Sequence, residues 1–65
     1  MWILTQDKQW FLDIIEIGIM NNNINGWTFN SETSYKLGEY DNPQEILEEI
    51  VQHRLRCPDG IFKMP

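Results

Sequence analysis

Apolar positions recur with two different periods along this chain, and the change falls at Asn42. Upstream the period is two. In IIEIGIM, residues 14–20, Ile15, Ile17 and Ile19 alternate with Glu16 and Gly18, which puts three isoleucines on one face of a strand expected to be central in its sheet. Downstream the spacing is helical: Ile46, Leu47, Ile50 and Val51 form one stripe, with Leu55 at its edge. Asn42 is a preferred N-cap residue, Pro43 suits the first helical position, and Glu45 follows Asn42 at capping-box spacing. Glu45, Glu48 and Glu49 near the start, with His53, Arg54 and Arg56 near the end, complement the helix dipole, and Pro58-Asp59-Gly60 ends the helix in a turn.

The other elements follow from turn chemistry. Residues 1–5 read as a strand, Gln6-Asp7-Lys8-Gln9 as a polar turn and Trp10-Phe11-Leu12 as the returning strand of a hairpin. Asn25-Gly26 suits a two-residue type I′ turn. That placement creates a parity conflict, because Ile24 then lies on the opposite face from Ile15, Ile17 and Ile19. A bulge or wider loop near residues 21–23 is needed to bring Trp27 and Phe29, taken as core, onto the isoleucine face. Residues 30–34 form a polar loop, residues 35–40 a strand with Tyr35 and Leu37 on one face, and residues 61–64 a short terminal edge strand. The expected fold is α+β: a single domain over residues 1–65, with an antiparallel β-meander of about four strands packed on one C-terminal α-helix.

Length and charge narrow the function. Sixty-five residues allow one thin core. A lone cysteine, Cys57, rules out an intrachain disulfide and makes a cytoplasmic setting the default. The opening MWILTQDK lacks the basic leader and apolar length of a signal peptide or membrane span. Ten acidic against five basic residues leave a net charge of −5, which opposes nucleic acid and anionic membrane surfaces. One helix covers only one face of a sheet, so a homodimer is expected.

Several residues are candidates for chemistry. His53 and Cys57 stand four apart on the helix, half of a metal site at most, since structural zinc takes four ligands and catalytic zinc three. As a catalytic pair they lack an orienting third group, so neither a metal site, a cofactor nor a catalytic residue is assigned. Arg54 falls in the middle of the apolar stripe, about 40° from Ile50 on a helical wheel. The simpler reading is that the last turn overhangs the sheet and the guanidinium reaches water; the sharper one is an interface anchor facing a carboxylate of a second subunit. Eight aromatic residues exceed what one small helix can cover, and Trp2 and Trp10, on the outer hairpin, are the candidates for a contact surface. The helix face carrying Glu45, Glu48 and Glu49 is a solvated face or, in the functional reading, a short phosphate mimic.

The strand YKLGEY, the acidic helix that follows it, the opening WILTQDK and the closing Met64-Pro65 resemble a group of short uncharacterised proteins from phages and mobile elements of Gram-positive bacteria. The resemblance covers most of the chain and implies the meander-and-helix architecture without naming a chemistry. That context, taken with the acidic body, the aromatic surplus and the lack of a catalytic constellation, makes a non-enzymatic accessory protein that binds a host protein, such as a defence factor it inhibits, the expected function. The competing expectation is a small-molecule sponge that holds an anionic nucleotide between Arg54 and aromatic rings at an oligomer interface.

Overall fold

The computed structural model describes residues 1–65. Its strands sort into two three-stranded sheets. In the first, β1 (Trp2–Leu4) is flanked by β2 (Phe11–Asp13), antiparallel, and by the last strand of the chain, Phe62–Lys63, parallel. The second is an antiparallel meander of β3 (Glu16–Met20), β4 (Asn23–Trp27) and β5 (Tyr35–Glu39). The single helix α1 (Pro43–Arg56) packs on β3 and β4, and Phe62–Lys63 is β6. The α+β class and the terminal edge strand agree with the sequence reading. The meander, however, is divided between two sheets, and β3 is an edge strand rather than a central one.

The turn between β3 and β4 lies at Asn21-Asn22, not at Asn25-Gly26, which sit inside β4 opposite Gly18 and Ile17. Asn21 takes a left-handed φ of 58°, a conformation asparagine tolerates better than most residues. Moving the turn dissolves the parity conflict. Ile19 now pairs with Ile24 and Ile17 with Gly26, so the β3 isoleucines and Ile24 share the core face without a bulge in that ladder. Trp27 is half-buried on the other face, with its ring over Gly18. The irregularity occurs instead in the β4–β5 ladder, between Ile24 and Asn25. Ile24 pairs with Gly38 and Asn25 with Lys36, so Leu37 is the extra residue, and both Leu37 and Gly38 end up buried.

The core gathers Ile3 of β1, Ile24 of β4, Leu37 of β5 and Ile50 of α1, with Ile14 just before β3 and Met64 just after β6. Ile14, which precedes β3, takes the buried place that alternation assigned to Ile15; Ile15 is 62% exposed. Phe29, expected in the core, is 77% exposed in the loop after β4. Asn42 precedes the helix as expected, but its side chain makes no capping hydrogen bond; its carbonyl accepts from Glu45 N at 3.2 Å. At the other end Cys57 N donates to His53 O at 2.7 Å, which closes the last turn before Pro58.

Gln6 fastens the two sheets together. Its backbone N–H donates to Leu37 O (2.8 Å), its Oε1 accepts from Glu39 N (2.8 Å) and its Nε2 donates to Glu39 O (3.3 Å). A turn residue of the first sheet thus hydrogen-bonds to the outer edge of β5 and satisfies groups that an edge strand leaves open.

Candidate protein-contact surfaces

Three surfaces stand out, and they do not converge on one site. The first lies on the β1–β2 hairpin. In the β1–β2 register Leu4 faces Phe11 and Trp2 faces Asp13, so Trp2 and Phe11 are diagonal neighbours on the same face. Their rings stack with centroids 4.8 Å apart and an interplanar angle of 21°. The stack remains open to solvent, with Trp2 46% and Phe11 49% exposed. Ile3, on the opposite face of β1, is buried, so this hairpin has one face in the core and an aromatic face outside. Trp10, also exposed, leaves the turn on the other side and approaches Tyr35 at 6.4 Å.

The turn that holds these rings is fixed by polar contacts. Thr5 is buried; its N–H donates to Trp10 O (3.0 Å), its hydroxyl accepts from Trp10 N (3.1 Å) and donates to Asp7 Oδ1 (2.6 Å). Asp7 Oδ1 also accepts from Gln9 N at 3.0 Å. The Thr5 hydroxyl, and then the Gln9 amide, hold the Asp7 carboxyl below its ordinary 3.8. A carboxyl group with a lowered folded-state pKa contributes stability above its unfolded value, and that contribution is lost as pH falls through the folded value. Asp7→Asn is therefore expected to lower stability at neutral pH and to flatten the decline below pH 3.8, as read by urea midpoints across an acid series. Identical pH profiles for the two proteins would contradict this role for Asp7.

The second surface is an open groove of about 550 Å³ between α1 and the β3 segment. Ile15, Ile17, Leu47, Val51 and Leu55 line it, with Glu16 on the strand side and Arg54 on the helix side. Arg54 is exposed, and its Nη1 donates to Pro58 O at 3.0 Å. The third surface is the acidic side of α1, where Glu45, Glu48, Glu49, Gln52 and Arg56 surround a shallow depression.

His53 is half-buried and meets Phe62 edge-on at 5.2 Å, while Cys57 is exposed. No three His, Cys, Asp or Glu side chains converge where a metal could be held. Tyr40 is the other group with a shifted pKa: burial first, and then the Glu49 charge, raise its phenol above 10.0, and its hydroxyl donates to Pro65 O at 2.8 Å.

The aromatic surplus in the sequence pointed to the Trp2 and Trp10 surface. Nothing in the local pattern marked Gln6 as the residue covering β5, or Ile15 and Glu16 as groove residues, because both follow from which edge of the second sheet is covered. No helix is long and apolar enough to cross a membrane. No family model, curated protein or solved structure matches this chain.

Proposed function

We propose that this chain is a non-enzymatic protein-binding module whose contact face is the outer side of the β1–β2 hairpin. The observation that carries this reading is the exposed Trp2–Phe11 stack, two large rings held by strand pairing at 4.8 Å and facing solvent. Tryptophan is enriched where a few residues dominate a protein interface, and rings already fixed in place lose little conformational freedom on binding. The net charge of −5 favours a basic partner surface, and the sequence resemblance to phage and mobile-element proteins supports a host protein, a defence component among them, as the one bound and inhibited.

The test is paired affinity capture from host extract at physiological salt, with the unaltered protein against Trp2→Ser/Phe11→Ser. Both positions are exposed on the hairpin, so the variant is expected to keep its fold, checked by circular dichroism. A specific protein held by the unaltered chain and lost by at least tenfold in the variant supports this face. Capture of the same protein equally by both refutes the face, and the absence of any specific protein refutes the protein-binding reading.

A further inference from the structure

Asn25-Gly26 is, in a flexible chain, the kind of pair most prone to spontaneous deamidation: glycine has no Cβ, so its amide nitrogen can reach the asparagine side chain that precedes it. The fold puts this pair in the middle strand of the second sheet, where Gly26 stands opposite Ile17 on one side and Tyr35 on the other. Three features oppose reaction there. Ring closure needs Gly26 N to swing toward Asn25 Cγ, and that rotation would break the pairing of β4 with its neighbours. Asn25 Nδ2 donates to Ser34 Oγ at 2.8 Å, which ties the carboxamide across to the residue before β5. Asn25 Oδ1 is screened from solvent and accepts no hydrogen bond, so the negative charge it would gain during the attack has no donor to stabilise it. The core also keeps the reactive glycine in place, because Ile14 and Leu37 fill the space that a Cβ would need.

We infer that Asn25-Gly26 is a modification site gated by the fold: it deamidates when β4 leaves the sheet, and the product keeps the chain from folding again. In the released strand Gly26 N gives up its proton and attacks Asn25 Cγ. The N–Cγ bond forms, the Cγ–Nδ2 bond breaks, and Nδ2 departs as ammonia with the proton. Water then opens the five-membered imide. Addition at Cγ gives aspartate; addition at the backbone carbonyl of residue 25 gives isoaspartate, in which the main chain runs through Cγ and is one carbon longer.

Neither product fits the place the asparagine left. With Ile24 held opposite Ile19, an extra backbone carbon between residues 25 and 26 moves Gly26 out of register with both Ile17 and Tyr35. Aspartate sets a carboxylate oxygen where Asn25 Oδ1 has neither solvent nor a donor. The reactive population is the open fraction of the chain, so the native rate follows the free energy of releasing β4. Chains that stay unfolded are thereby withdrawn from the folded pool. The hairpin face proposed above plays no part in this chemistry, and no host component enters its test, so either can fail alone.

The test is peptide mapping by mass spectrometry of the chain held at neutral pH in native buffer and in guanidinium chloride. Conversion at Asn25 is expected to be at least tenfold faster in the denaturant, and Ile24→Ala, which loosens the same strand, should raise the rate in native buffer. Refolding is read by circular dichroism after brief and after prolonged denaturation. The yield of the unaltered chain is expected to fall in step with isoaspartate at position 25. Asn25→Ser has no carboxamide to close the ring and should refold equally after both exposures. Equal rates in native buffer and denaturant overturn the gate. Isoaspartate-bearing chains that refold as well as fresh ones, or an equal loss of yield in Asn25→Ser, overturn the block on refolding.

Discussion

Shortening Ile24 to alanine should destabilise the fold by about 2–5 kcal/mol, the usual cost of removing a large aliphatic side chain from a site with no access to solvent. Ile24 is 0% exposed and belongs to the central strand of the second sheet, directly opposite Ile19. It is also one of only three large side chains that are completely buried, the others being Ile3 and Leu37. A domain of this length has roughly 3–10 kcal/mol of stability in total, so Ile24→Ala is expected to bring the chain near or past its folding threshold at 25 °C. The check is a urea unfolding curve beside Ile17→Ala, whose half-buried side chain fills a less enclosed site and should cost less. Equal effects at the two positions would show that Ile24 does not hold the central place assigned to it.

The second large effect is expected from adding a single methyl group. Gly26 lies on the core face of β4, and a Cβ placed there would come within 2.9 Å of Ile14 Cγ2 and 3.0 Å of both Ile14 Cδ1 and Leu37 Cδ1. Those separations are well inside ordinary carbon–carbon contact, and two buried core side chains would have to move. Gly26→Ala should therefore cost about 1–3 kcal/mol through overpacking. The mechanism distinguishes itself from a turn requirement. The glycine has no positive φ, so backbone strain does not enter, and the cost should shrink when Ile14 is shortened. Double-mutant analysis of Gly26→Ala with Ile14→Ala should show a favourable coupling of 0.5 kcal/mol or more, within the range of contacting residues at roughly 0.5–3 kcal/mol. Strict additivity would mean that the methyl group does not meet Ile14.

These two positions also show how far local pattern carries. The helix was legible from its own residues: Pro43 can start it, Ile46, Leu47 and Ile50 supply its inward stripe, and Pro58 cannot continue it, all of which are local constraints. The hairpin of residues 1–12 was legible because four polar residues separate two short apolar runs. The turn between β3 and β4 was not. Asn21-Asn22 and Asn25-Gly26 both allow the required backbone, and the choice depends on whether Ile24 or Trp27 is drawn into the core against Ile17 and Ile19. That competition is settled by packing against Ile50 and Leu37, residues far along the chain. For the same reason Phe29, the most hydrophobic residue of its loop, could not be recognised as exposed.

The contact surfaces divide in the same way. Trp2 and Trp10 could be singled out because the number of aromatic residues exceeds what one helix can cover, an argument from composition. The stacking of Trp2 on Phe11 depends on strand register, and the groove depends on β3 being the uncovered edge. Arg54 was visible as an anomaly in the apolar stripe, but Ile15 and Ile17 on the strand side of its groove join it only after the helix folds back on β3.

By itself the sequence determined the α+β class, the limits of the helix, the first hairpin and the acidic, aromatic-rich character of the surface, because each rests on periodicity, capping and turn residues or charge within a short window. Tertiary structure alone decided that the strands form two sheets, that Gln6 covers one edge of the second sheet, and that the other edge opens onto an apolar groove. Those outcomes turn on which strands pair and in what register, and pairing energies come from residues that the chain brings together only when the whole core closes.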